Sequence, residues 1–317
     1  MKAFVWEKYG PPETLRIAEV AKPAPSADEV LVKVLGMSVN PADWHSVRGR
    51  PLFSRFTLGM VRPKYPIAGG DIAGQVEAVG EGVIRFKIGD EVYANLLEHG
   101  YGGFAEYVAV PVGVMSLKPA NLTHEEAAAV PTAAGTALQG LRYHGEIHAH
   151  QKVLINGASG GVGSFAVQIA KSQGAEVTGV TSTRNIELVR ALGADHVIDY
   201  TVTDFAAGTR RYDLILDTIG NRSVPDLRRA LAEGGKAAVT GFTRVAKLLA
   251  VVLRGGKNVA QVSAHINSKD LELLSELIVD GKVRPQIDRR YPFAEIPEAI
   301  AYLEQGHARG KVVVGMG

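Results

Sequence analysis

The segment Lys152-Val153-Leu154-Ile155-Asn156-Gly157-Ala158-Ser159-Gly160-Gly161-Val162-Gly163 constrains this chain more than any other. An apolar run short enough for one strand passes through a glycine-rich turn into residues 162–171, where apolar residues recur at helical spacing. Glycines in such a turn let the backbone bend tightly and approach a pyrophosphate, whose charge then rests on the N-terminus of the next helix. The spacing Gly157-x-x-Gly160-x-x-Gly163 departs from G-x-G-x-x-G, so the strand–turn–helix context carries the inference.

Beyond the loop the same rhythm continues. Strands are expected at 176–181, 196–199, 213–217 and 236–240, with helices at 185–192 and 223–231 between them. That βαβαβ order implies a doubly wound parallel sheet with right-handed crossovers. The end of the second strand discriminates between dinucleotides. An acid there would accept the ribose hydroxyls of NAD, but this chain has Val180-Thr181-Ser182-Thr183-Arg184-Asn185. Ser182 can donate to a 2′-phosphate and Arg184 can pair with it, so the expected cofactor is NADPH.

The first 120 residues have a different texture. Val30, Val32 and Val34 alternate with Leu31, Lys33 and Leu35, and short strand-like runs at 72–79, 91–94 and 104–110 are punctuated by Gly and Pro. This predicts a sandwich or partly open barrel, with no helical period over that stretch. Thr123 and Glu126 form a capping-box pattern that opens the change of texture. Near the end, residues 268–280 and 297–305 read as helices and 311–314 as a strand that returns to the first domain. The expected division is 1–120, completed by 266–317, around an inserted 121–265.

Composition narrows the function classes. The chain contains no Cys, which removes disulfides, thiolate catalysis and Cys-based metal sites. Lys plus Arg number 35 against 33 Asp plus Glu, without a block of like charge, which argues against nucleic acid or a membrane as the main partner. No apolar run reaches the ~20 residues of a bilayer span, and Met1–Glu7 meets an acid too early for a secretory leader. The expected setting is cytoplasmic.

Six ordered landmarks carry a family resemblance: 38–43 (Ser-Val-Asn-Pro-Ala-Asp), 69–74 (Gly-Gly-Asp-Ile-Ala-Gly), 89–93 (Gly-Asp-Glu-Val-Tyr), 102–107 (Gly-Gly-Phe-Ala-Glu-Tyr), 158–163, and 306–313 (Gly-His-Ala-Arg-Gly-Lys-Val-Val). Together they resemble the medium-chain dehydrogenase/reductase superfamily over essentially the whole chain, in its zinc-free quinone oxidoreductase branch. The resemblance implies an α/β protein: a GroES-like β-rich domain plus a Rossmann domain. In the zinc alcohol dehydrogenases of that superfamily a Cys stands where Asn40 stands here and a His where Gly70 stands, so the resemblance implies no metal. It assigns Asn40, Asp43 and His45 to catalysis, with His45 or a water as proton donor and Trp44 as wall. It assigns Asn40, Thr132, Thr136, Ser159, Gly160, Gly161, Val162, Tyr200, Thr218, Ile219, Gly241 and Lys311 to the cofactor, beside Ser182 and Arg184.

Without a Lewis acid, the chemistry left is hydride delivery to an acceptor whose product anion is already delocalised, a quinone or an α,β-unsaturated carbonyl. A 2-alkenal or enoyl-thioester reductase is the enzyme alternative, which a Tyr such as Tyr65 or Tyr101 over the cleft would favour. A non-catalytic NADPH-binding sensor is the alternative from another class. The Arg-, Phe- and Pro-rich stretch 48–65 reads either as a lid that sets acceptor size or as a partner-contacting or poorly ordered loop. Residues 241–256 read as a pocket wall or subunit interface, and the strand near 258–262 as the edge through which a homodimer would form.

Overall fold

The computed structural model describes all 317 residues, which divide into two compact units. The first comprises Met1–Thr132, Ile266–Asp280 and Ile287–Gly317; the second comprises Ala133–His265 and Gly281–Gln286.

The chain opens with β1 (Lys2–Val5), β2 (Arg16–Glu19), β3 (Glu29–Val39), α1 (Pro41–Arg48), α2 (Arg55–Leu58), β4 (Asp71–Val79), β5 (Glu91–Asn95), β6 (Tyr107–Pro111), β7 (Met115–Leu117) and α3 (His124–Ala128). β3 is the long organiser. It pairs with β4 along one edge, and its other edge is shared between β6, against residues 29–33, and a C-terminal strand, against residues 36–39. The alternation Val30, Val32, Val34 buries these valines with Ile72, Val92 and Phe104. Each such side chain removed from water contributes about 1.5–3 kcal/mol.

Two local features depart from the sequence expectation. α1 lies inside the stretch expected to lack helix: two turns are too short for a periodic signal, and the ends specify the helix instead. Pro41 occupies its first turn, the Asp43 carboxylate accepts from the Asn40 backbone N–H at 2.7 Å, and Gly49 closes it at φ +60°. In addition, residues 121–132 belong to the first unit, because α3, capped by Thr123 and Glu126, packs on β3 and β4 with Ala127 and Ala128 fully buried. Residues 281–286 lie with the second unit.

α4 (Pro131–Arg142) leads into β8 (Lys152–Asn156), α5 (Gly161–Ser172), β9 (Glu176–Thr181), α6 (Ile186–Ala191), β10 (His196–Asp199), β11 (Tyr212–Asp217), α7 (Val224–Ala230), β12 (Leu231–Val239), α8 (Val245–Arg254) and β13 (Val259–Gln261). All pairings in this sheet are parallel, in the order β10-β9-β8-β11-β12-β13. Counting from β8 this is 3-2-1-4-5-6, so the topological switch point falls between β8 and β11. The chain then continues through α9 (Ser268–Val279), β14 (Ile287–Pro292), α10 (Ile296–Glu304) and β15 (Lys311–Gly315). β15 is the strand that completes β3, running antiparallel to it. No helix is long and apolar enough to cross a membrane.

Candidate active site

The residues singled out from sequence fall into two groups, one in each unit. In the first unit, Asn40 directly follows β3, β4 starts at Asp71, β5 ends at Asn95 and β15 starts at Lys311, so sheet pairing brings four polar side chains to one end of the sheet. All four are buried. Asp71, fully buried, is the hub. Its carboxylate accepts from Asn40 Nδ2 at 2.8 Å, Asn95 Nδ2 at 2.9 Å, Thr132 Oγ1 at 2.7 Å and Ser38 Oγ at 3.2 Å, and from the Thr132 backbone N–H at 3.2 Å.

These bonds determine what each neighbour can still do. The Lys311 ammonium donates to Asn40 Oδ1 and to the Val39 carbonyl, which leaves Asn40 one uncommitted N–H on Nδ2. Asn40 is also the N-cap of α1, yet its side chain does not cap; the network takes it instead. Thr132 gives its hydroxyl proton to Asp71 and accepts from Asn95 at 2.7 Å, so it can only accept from a further partner.

Asp43 has a different balance. Burial raises its carboxyl to about 7, reinforced by the Asp71 charge and opposed by the Asn40 N–H and Lys311. One of its oxygens, Oδ1, is buried without a hydrogen-bond partner. Burial pushes the Lys311 ammonium down, with both carboxylates holding it up. His45 stacks on Trp44 with ring centroids 3.6 Å apart, and its Nδ1 lies 3.0 Å from the Arg50 carbonyl. A carbonyl only accepts, which assigns the proton to Nδ1. Burial lowers the imidazole pKa, which favours the neutral ring and, of the two proton donors expected from sequence, His45 or a water, favours the water. Tyr101 is pushed up to about 12 by burial and shares a 2.8 Å hydrogen bond with Ser46, so its hydroxyl is already engaged.

In the second unit, the loop after β8 and the loop after β11 flank the switch point. Gly157 has φ +87°, and a Cβ there would lie 2.5 Å from Thr218 Oγ1; a Cβ on Gly163 would lie 2.1 Å from the Gly157 carbonyl oxygen. Gly160 is the N-cap of α5 and has no side chain to satisfy the first amides, leaving the N–H groups beginning at Gly161 and Val162 open to an anion. Ser159 Oγ accepts from Thr181 Oγ1 at 2.8 Å and Asn185 Nδ2 at 3.1 Å, so its own proton is aimed at a third partner. Asp217 ties the two loops, accepting from Asn156 Nδ2 at 2.7 Å and from the Ile219 and Gly220 amides. Gly241 abuts Thr218, and a Cβ on it would lie 2.2 Å from the Thr218 carbonyl oxygen. Thr136 is half-buried on α4. Ser182 is half-buried, Arg184 and Tyr200 are exposed, and no acid lies within 181–185. Asp199 of β10 is nearby, but its carboxylate accepts from Thr183 and Thr201. The open amides, the glycine cradle and the spare Ser159 proton fit a dinucleotide pyrophosphate.

Asp71, Asn95 and Ser38 were missed from sequence. Asp71 and Ser38 stood inside the 69–74 and 38–43 landmarks without a role, Asn95 stood outside all six, and nothing local marks Asn95 or Ser38 as partners of Asp71.

Residues 26–120 match the family described as alcohol dehydrogenase GroES-like domain, and residues 192–314 match the one described as zinc-binding dehydrogenase. An NADPH-dependent alkenal/one oxidoreductase from Arabidopsis thaliana chloroplasts is 35% identical over 99% of this chain and 79% of its own. A chloroplast envelope quinone oxidoreductase homolog from the same plant is 34% identical over 99% of this chain and 98% of its own. The quinone oxidoreductase structure from Coxiella burnetii superposes with a TM-score of 0.89 at 29% identity, over 100% of this chain and 99% of that one. The zinc in one family's description finds no fitting donor set here. Asn40 Oδ1 is taken by Lys311, Asp71 by four side chains and Asp43 Oδ2 by a backbone amide, and no three His, Cys, Asp or Glu are grouped as metal ligands.

Proposed function

The chain belongs to the medium-chain dehydrogenase/reductase superfamily as an oxidoreductase, and from that premise we propose that it reduces a quinone or α,β-unsaturated carbonyl with NADPH and without a metal. The observation that carries this reading is the Asp71 network, which holds a lysine ammonium among its carboxylates and leaves one Asn40 N–H to donate.

When bound, NADPH supplies the hydride. The residues of the chain supply the rest. Gly160, Gly161, Val162 and Ser159 hold the pyrophosphate; Ser182 and Arg184 hold the 2′-phosphate; Thr218, Ile219 and Gly241 shape the adjoining edge. Thr132, restricted to accepting, suits an amide N–H of the cofactor. The uncommitted Asn40 N–H donates to the acceptor's carbonyl oxygen, where negative charge develops as hydride arrives. Asp71 keeps that donor aimed without reorganisation. Asp43 holds a proton on part of the population at neutral pH, and a proton from water converts the hydroquinone monoanion to hydroquinone, or the enolate to the saturated carbonyl. The engaged Tyr101 hydroxyl gives no support to an enoyl-thioester reductase that protonates through it. A homodimer is supported by β13, the outer strand of its sheet, and by α8 beside it, which exposes Val245, Leu249, Val252 and Leu253.

The test is NADPH oxidation with 1,4-benzoquinone, 9,10-phenanthrenequinone and a 2-alkenal, with NADH controls and with a chelator. Turnover with NADPH, insensitive to chelation, is the expected result. NADPH binding without turnover on any acceptor, or loss of activity on chelation, overturns the reading.

A further inference from the structure

A cavity of about 550 Å³ opens in the first unit, lined by Trp6, Glu7, Lys8, Arg62 and Lys64 with two prolines. Its charge is one-sided. Residues 44–70 contain five Lys or Arg and no Asp or Glu. Arg48 is paired with Glu304, and Arg55 stacks over Tyr9. Lys8 and Arg62 form no ion pair, and Lys64 only faces the Tyr65 ring at 5.2 Å. The single lining carboxylate, Glu7, is engaged by Arg16 at 2.7 Å. The indole N–H of Trp6 in the wall has no acceptor in the protein.

The cavity connects to the proposed chemistry through packed side chains. Trp6 meets Tyr101 edge-to-face at 5.8 Å, and the Tyr101 hydroxyl is hydrogen-bonded to Ser46. Ser46 lies on α1, the helix that Asn40 N-caps and whose first turn carries Asp43. Three uncompensated cations around one cavity confer selectivity for an anion and speed its arrival, although each contact at an exposed position contributes modestly. A neutral quinone has no use for them.

We propose that this cavity is a subsite for an oxyanion, a carboxylate or phosphate, carried by the electron acceptor, so that the acceptor is an anionic carbonyl compound. The assignment to an acceptor rests on the hydride-transfer reading; the anion site itself does not.

The test uses trans-3-benzoylacrylate and its neutral methyl ester. In Trp44→Phe protein, Trp6 is the sole tryptophan and reports binding by fluorescence. The expected result is that the acid binds roughly tenfold more tightly than the ester, that added salt weakens only the acid, and that the difference disappears in R62E/K64E and R62Q/K64Q. In turnover, the acid-to-ester ratio of kcat/KM falls roughly tenfold in the same variants. Using a ratio cancels the different intrinsic reactivity of the two probes. Equal binding of acid and ester, or a preference untouched by both charge variants, overturns the proposal. If neither probe is reduced while the acid still binds in a charge-dependent way, the anion site stands and the hydride-transfer reading fails.

Discussion

Replacing Asp71 with Asn isolates what the buried network does, because the change keeps shape and removes one acceptor. Oδ1 receives Asn95 and Thr132, and Oδ2 receives Asn40 and Ser38. Whichever oxygen becomes the amide NH2, it faces two donors. Hydrogen bonds to a charged acceptor are worth about 1.5–3 kcal/mol each, so two of them amount to about 3–6 kcal/mol. Rotation of one hydroxyl to accept recovers part of this, while the Lys311 ammonium loses a neighbouring charge. The expected destabilisation is therefore about 3–5 kcal/mol, the range found when one partner of a buried ionic pair is removed. Trp6 and Trp44 are the only tryptophans and both lie in the unit that contains Asp71, so urea denaturation followed by their fluorescence reads the right unit. Turnover should fall in step as Asn40 loses its anchor. A loss under about 1 kcal/mol would refute the idea that Asp71 organises this end of the sheet.

Three further outcomes are expected. Because the Asp43 carboxyl in the folded protein is raised to about 7 from 3.8, its contribution to stability is full below about pH 4 and is lost as pH rises toward 7. Stability of the Asp43→Asn variant measured across that window should lack this decline, and parallel curves would contradict the assignment. Arg184→Ala should raise the KM for NADPH far more than that for NADH; equal losses would sink the 2′-phosphate role. Gly163→Ala places a methyl 2.1 Å from the Gly157 carbonyl, so NADPH affinity should drop by at least about tenfold in a titration of cofactor fluorescence, and unchanged affinity would show that the loop is free to move aside.

Much of the nucleotide unit was legible in the primary sequence because its signals are local. An apolar run, a glycine turn and a helical period occupy consecutive residues, and β8, α5 and β9 lie where those signals stood. Absence of an acid after β9 is equally local, although Asp199, 16 residues beyond Thr183, shows how folding brings a carboxylate to the same neighbourhood through a hydrogen bond from that threonine. α1 escaped notice because eight residues give no period, and its capping by Asp43 is a side-chain event.

The sequence by itself determined the α/β alternation, the glycine cradle and the lack of any thiolate chemistry, since each depends on residue type and close spacing. Only the tertiary structure decided the composition of the catalytic end. Asp71 meets Asn40 across 31 residues and Lys311 meets Asn40 across 271, contacts that arise because β4, β3 and β15 pair side by side. Local propensity places each of those residues at a strand end, but which strand ends adjoin is settled by how the sheet buries its apolar face. The polarity of the site, one spare N–H on Asn40 and an accept-only Thr132, exists only once that pairing has formed.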